Sequence, residues 1–202
     1  VEAAAAGPAL PRRPEVYLDL ACPFSYLAAE QVERALGEVE WIAACVSAPG
    51  PAWLRGATRA RASFRARAER AARALRLPLT WPDCSAGGFP TALRMAACAA
   101  ESGAGGAFAL AAMRLAFAGG YDLEDPEILA EAAMAAGLDP RGLLAAARRR
   151  DADGVLEDVA RHLAAHGVEG LPAVRMGERW FCGEQAVGEA AAYRRGAAAM
   201  PA

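Results

Sequence analysis

Apolar and mixed residues alternate over Glu15-Val16-Tyr17-Leu18-Asp19-Leu20-Ala21, directly after Pro14, and this period of two predicts a strand. The period then changes. From Pro23 onward, Phe24, Leu27, Ala28, Val32, Ala35 and Leu36 fall on one helical face, and Gly37 supplies the stop signal. A second apolar run, Val39 to Val46, predicts another strand, so the chain opens as a βαβ-like unit.

Ser47 to Ala52 (SAPGPA) breaks this pattern, and from Trp53 to about Arg150 the composition is helical with turns between. A basic helix is predicted over Arg55–Arg76, followed by a Pro/Gly loop over Pro78–Pro90. Further helices are predicted over Thr91–Glu101, Phe108–Ala118, Pro126–Ala136, Arg141–Arg150 and Asp153–His166. Asp125-Pro126 and Asp139-Pro140 are N-cap-plus-proline starts. The period of two then returns. Pro172 to Met176 and Arg179 to Cys182, joined through Gly177-Glu178, predict a β-hairpin, and Glu184–Arg195 predicts a closing helix. If both ends of the chain share one sheet, the middle block is an insertion. The expected organisation is a leader over 1–13, an α/β domain from 14–48 and 152–202, and an all-α insertion over 49–151.

The chain has 202 residues, 55% of them hydrophobic, enough for a substantial core. Its net charge is −2, which disfavours a polycationic nucleic-acid binder. No apolar run reaches membrane-spanning length free of charge, so no membrane partner is expected. All 22 basic residues are arginine and lysine is absent, so the choice of arginine at any one position reflects composition before chemistry. Val1 to Arg13 lacks the basic start and apolar run of a secretory signal. The five cysteines (22, 45, 84, 98, 182) form no CxxC pair and no zinc spacing. Together these point to reduced thiols in a cytoplasmic setting.

Cys22-Pro23-Phe24-Ser25 lies where the first strand ends and the first helix begins. Unpaired backbone N–H groups and the helix dipole favour an anion there. A thiolate is such an anion, so the expected thiol pKa is depressed. Ser25, one turn on, can direct its hydroxyl at the same sulfur. A buried, inert cysteine is the plain alternative.

The segment Leu18-Asp19-Leu20-Ala21-Cys22-Pro23-Phe24-Ser25-Tyr26-Leu27-Ala28 resembles the opening of the DsbA-like thioredoxin superfamily. It is most similar to the branch of 2-hydroxychromene-2-carboxylate isomerases and kappa-class glutathione transferases. Gly167-Val168-Glu169-Gly170-Leu171-Pro172-Ala173, then Gly177 and Trp180-Phe181-Cys182-Gly183-Glu184-Gln185, resembles that branch's second motif. Leu75-Arg76-Leu77-Pro78-Leu79 is a weaker third match. The resemblance implies a thioredoxin-like α/β fold with an all-helical insertion. It implies that Pro172 is a cis-proline facing the reactive residue and that Leu171 presents its backbone to a thiol substrate. It also implies that Glu184 and Gln185, with Pro23 and Phe24, hold glutathione or another low-molecular-weight thiol, and that a homodimer can form.

This chain departs from the branch at the decisive position. The isomerases and kappa transferases place serine where Cys22 stands. The oxidoreductases have cysteine there but a second one three residues on, where this chain has Ser25. A monothiol cycle is therefore expected: thiolate attack, mixed disulfide, and resolution by an external thiol. The alternatives are an isomerase-like enzyme, in which Cys22 only polarises a bound thiol that adds to an aromatic enone acid, and a non-catalytic binding module. The substrate is expected to be a small molecule or a thiol.

Cys182 is read as a packed core thiol that could alternatively resolve a Cys22 disulfide, and Cys45 and Cys98 as core. Cys84, in the Pro/Gly loop, could reach the cleft. The arginines at 55, 59, 61, 65, 67, 70, 73 and 76, offset only by Glu69, read as a solvated helix face or as a patch for an anionic substrate. His162 and His166 are four apart on one helix with no third ligand in view, so no metal is expected.

Overall fold

A computed structural model describes residues 13–45, 57–82 and 88–198. The elements run β1 (Glu15–Leu18), α1 (Pro23–Leu36), β2 (Glu40–Ala43), α2 (Thr58–Leu75), α3 (Pro90–Glu101), α4 (Gly105–Phe117), α5 (Pro126–Ala135), α6 (Pro140–Ala147), α7 (Arg150–Ala165), β3 (Ala173–Met176), β4 (Arg179–Cys182) and α8 (Ala186–Ala198). The sheet order is β2-β1-β3-β4. β1 pairs parallel with β2, and both β1–β3 and β3–β4 are antiparallel. Both ends of the chain thus build one sheet, with helices α2 to α7 between its two strand pairs in sequence.

Alternation along β1 sorts its side chains to two faces. Val16 and Leu18 join the larger core with Phe24, Leu27 and Val32 of α1 and Ala186, Val187 and Ala190 of α8. Tyr17 turns to the other face and packs with Leu163 of α7, Val168 and Leu171. The larger core continues into the helical block through Phe108, Met113 and Phe117. Arg114 of α4 locks that block onto α1 with a two-pronged contact to Glu30, at 2.6 and 2.7 Å.

Local chemistry sets the helix ends. Gly37 stops α1 at φ 66°, and its N–H closes on the Glu33 carbonyl. The Asp125 and Asp139 side chains accept from the first turns of α5 and α6. At Gly106 a Cβ would stand 2.6 Å from the Trp41 indole, so glycine lets α4 seat directly on the edge strand β2.

Several boundaries differ from the sequence expectation. β1 is shorter, because the chain turns at Asp19 to place Cys22 (Cys22 N–H to Asp19 O, 3.0 Å), and β2 covers only Glu40–Ala43. The helix expected over 141–150 ends at Ala147, and α7 begins at Arg150. The expected leader before Arg13, the break at Ser47–Ala52, Arg55 and Cys84 lie outside the described residues.

Candidate active site

Cys22 is the N-cap of α1, extended at φ −106° and ψ 118°, with Pro23 at the first helical position. The chain reaches it through an Asx-type turn in which Asp19 Oδ1 accepts from the Ala21 N–H at 2.8 Å. Ser25, one turn into the helix, is fully buried, and its Oγ accepts from the Asp19 N–H at 3.2 Å. Its hydroxyl and N–H, with the N–H of Phe24, act to lower the Cys22 thiol pKa. Asp19, Cys22 and Ser25 therefore form one locked turn.

Across from it, the Leu171–Pro172 peptide is cis, and both residues are buried. Cys22 Sγ lies 3.6 Å from the Leu171 carbonyl oxygen, a sulfur-to-carbonyl contact spanning 149 residues of sequence. The Pro172 carbonyl accepts from the Gly183 N–H at 2.8 Å, which ties this segment to the end of β4.

The electrostatics correct the sequence expectation. The donors at the helix start do lower the thiol pKa, but they are outweighed. Burial first, and then the Asp19 carboxylate, push the Cys22 thiol up to about 11. Part of the residue reaches solvent, yet its sulfur is turned inward against Leu171. At rest Cys22 is a neutral S–H.

Phe24 is buried beside the cysteine and meets Phe64 of α2 edge-to-face at 5.2 Å. The Arg67 guanidinium lies 5.2 Å from the Phe24 ring centre. From there its Nε and Nη2 both donate to Glu184 Oε2, at 3.2 and 3.1 Å. Glu184 thus connects to the cysteine turn through Arg67 and Phe24. Gln185 is exposed, and its carbonyl accepts from Glu189 at the start of α8. On the other side, Asp19 and Ala21 line a cleft with Cys45, Phe89, Pro90 and Leu93.

The structure therefore brings together Cys22, Pro23, Phe24, Ser25 and Leu171-Pro172, and links Glu184 to them, while Gln185 stands apart in solvent. Sequence reasoning gave Asp19 no role and took Arg67 as one arginine of a stripe. The signal for Asp19 was present, since an Asp three residues before a helix-capping cysteine can close a turn onto it. Nothing in spacing singles out Arg67. One cysteine expectation also changes. Cys182 is exposed at the end of the edge strand β4 rather than packed in the core. Cys45 follows β2 and lines the cleft, and both it and Cys98 are half-buried and pack against the larger core. No disulfide joins any two of the described cysteines. The two histidines join an aromatic cluster: the His162 and His166 rings are 4.4 Å apart and pack on Trp180. Among the described residues, no three His, Cys, Asp or Glu side chains gather as metal ligands. No described helix is long and apolar enough to cross a membrane.

Residues 15–193 match the DSBA-like thioredoxin domain family. The chain belongs to that family. It is an enzyme of the DsbA-like type, whose chemistry is thiol oxidoreduction or isomerisation. The fold agrees with solved structures across almost the whole chain. A 2-hydroxychromene-2-carboxylate isomerase superposes with TM-score 0.72 at 13% identity, covering 93% of this chain and 99% of that one. A probable DsbA oxidoreductase from Streptomyces coelicolor gives 0.72 at 22% identity, covering 94% and 91%. The cytosolic disulfide reductase DsbM from Pseudomonas aeruginosa, solved with GSH, gives 0.67 at 16% identity, covering 93% and 100%. No curated protein sequence matches the chain.

Proposed function

We propose that this DsbA-like chain is a monothiol oxidoreductase or transferase in which Cys22 exchanges with disulfides of glutathione or a similar low-molecular-weight thiol. The observation that carries this reading is the Cys22 sulfur lying 3.6 Å from the Leu171 carbonyl, with Ser25 buried behind it. In this reading the Leu171 backbone aligns an extended thiol substrate against the sulfur. Cys22 loses its proton and attacks the disulfide. One thiol leaves, and a second external thiol then attacks the mixed disulfide and restores Cys22. Ser25 and the N–H of Phe24 hold the thiolate while it exists.

A thiol pKa near 11 leaves a thiolate fraction of ~10⁻⁴ at neutral pH, so exchange should accelerate steadily into the alkaline range. Arg67 and Glu184 supply both signs of charge beside Phe24. An amino-acid end of the thiol would exchange for that ion pair, carboxylate on Arg67 and ammonium on Glu184. The reading fits a reduced, cytoplasmic thiol pool. DsbM, whose structure includes GSH, offers a precedent for a small thiol on this fold.

One observation favours a second reading. A neutral Cys22 S–H is a hydrogen-bond donor, as a serine hydroxyl would be, and it could polarise a bound thiol rather than attack. Such a thiol adds to an aromatic enone acid, allows rotation and is expelled, which is isomerase chemistry. The deciving experiment compares wild type with Cys22→Ser and Cys22→Ala on two substrates. Under the first reading, both variants lose reduction of a glutathione mixed disulfide. If Cys22→Ser keeps full turnover of 2-hydroxychromene-2-carboxylate and wild type shows no disulfide exchange, the isomerase reading replaces it.

A further inference from the structure

Helix α2 carries seven arginines and one acidic residue over positions 58–76, whereas the rest of the chain has 15 basic and 23 acidic residues. The structure divides these arginines. Arg65 lies 4.3 Å over the Trp81 ring, whose indole N–H donates to Glu69 at 3.0 Å, so that shoulder of the helix is internally neutralised. Arg67 is committed to Glu184. Arg59, Arg70 and Arg73 differ. All three are exposed, and among the described residues none has a carboxylate partner. At 100° per residue they lie within about 60° of one another around the helix. They face away from Ala68 and Ala72, the buried positions of α2.

From Arg59 to Arg73 the row runs about 21 Å at 1.5 Å per residue, which an extended chain of roughly six residues matches. It also borders the reactive site, because Phe64 and Arg67 of the same helix touch Phe24, two residues from Cys22. The chemistry of the face narrows the partner. Its outward residues are arginine, alanine and serine. Phe64 is turned in toward Phe24 and Trp81 is covered by Arg65, so no ring is offered for stacking bases. Nor does the outward face carry the large apolar side chains that would enter a membrane.

We propose that the outward arginine face of α2 docks the acidic segment of a polypeptide whose cysteine, held in a mixed disulfide with a small thiol, is thereby presented to Cys22. The proposal rests on the reading of Cys22 as the exchanging thiol. The step balances without an added oxidant. The Cys22 S–H releases its proton, its sulfur bonds to the peptide sulfur, the original S–S bond breaks, and the small thiol leaves with a proton. The arginines act before this step, by raising the encounter rate and holding the peptide in register.

The test uses three synthetic peptides of equal length. Each carries one cysteine blocked as a mixed disulfide with 2-thiopyridine, flanked by glutamates, glutamines or lysines. Release of pyridine-2-thione on mixing with the full chain gives the second-order rate. The acidic peptide is expected to react about ten-fold faster than the neutral one at low salt. The advantage should collapse at high salt and in the triple variant Arg59→Glu, Arg70→Glu, Arg73→Glu, while the neutral peptide's rate stays unchanged. Equal rates for the acidic and neutral peptides, a preference for the lysine peptide, or an acidic preference that survives the triple variant would each overturn the docking surface. So would tight, salt-sensitive binding of an oligothymidylate with none of the acidic peptide, which would make the face a nucleic-acid site. Failure of all three peptides to react, or equal reaction by Cys22→Ala, would instead overturn the Cys22 reading itself.

Discussion

Ser25 offers the sharpest perturbation, because it is the one polar side chain among the fully buried described residues and it serves two partners. Its Oγ accepts from the Asp19 N–H at 3.2 Å, and its hydroxyl and N–H face the Cys22 sulfur. Ser25→Ala removes both side-chain contacts and keeps the volume nearly constant. The first loss leaves a backbone donor without its partner and should cost about 1–3 kcal/mol of folding stability. The second removes a donor to the thiolate. A hydrogen bond to a charged group contributes about 1.5–3 kcal/mol, so the Cys22 pKa should climb by about one to two units beyond its already raised value. The assay is iodoacetamide alkylation across neutral to alkaline pH, followed by mass spectrometry of the Cys22 peptide, alongside urea denaturation. Alkylation at mildly alkaline pH should slow at least about ten-fold while the urea midpoint falls. An alkylation profile that is unmoved, or that shifts to lower pH, would refute the idea that the hydroxyl holds the sulfur's charge.

Asp19 acts in the opposite direction. Asp19→Asn removes the carboxylate that disfavours the thiolate, so the Cys22 alkylation profile should move down from about 11, by on the order of one unit. Stability should depend on pH through the same thiol. Its pKa is raised in the folded chain, so its contribution is complete below pH 9 and is lost as pH rises through about 11. The loss is at most about 3 kcal/mol, seen as an alkaline fall in the urea midpoint that Cys22→Ala reduces. Gly106→Ala would drive a Cβ to 2.6 Å from the Trp41 indole, costing about 1–3 kcal/mol and shifting tryptophan fluorescence. Glu184→Gln should raise the KM for glutathione disulfide several-fold with little change in kcat, because Glu184 is proposed to bind the thiol's amino end without touching the reacting sulfur.

Much of this architecture is legible along the chain. The alternation at Glu15–Leu18, the Pro23 start and the Gly37 stop specify β1 and α1, and the returning period around Gly177 specifies the hairpin. These are local signals, set by neighbours within a turn or two. The placement of the cysteine at the strand–helix junction is legible for the same reason. Its ionisation is not. The dipole of α1 can be inferred from position, but burial of the sulfur depends on Leu171, 149 residues away, and on a turn that brings the Asp19 carboxylate near. The Arg67–Glu184 contact spans 117 residues, and no spacing on α2 distinguishes Arg67 from its neighbours. Cys182 misleads for a related reason. An apolar strand ending Trp-Phe-Cys suggests burial, yet β4 is an edge strand and its last residue opens to solvent.

The role given to Cys22 is tested most directly by intact-mass analysis after incubation of the reduced chain with glutathione disulfide at mildly alkaline pH. A single glutathionyl adduct, mapped to the Cys22 peptide and removed by added thiol, is the predicted result. An adduct confined to Cys182 or Cys45, or full modification retained in Cys22→Ser, would contradict it.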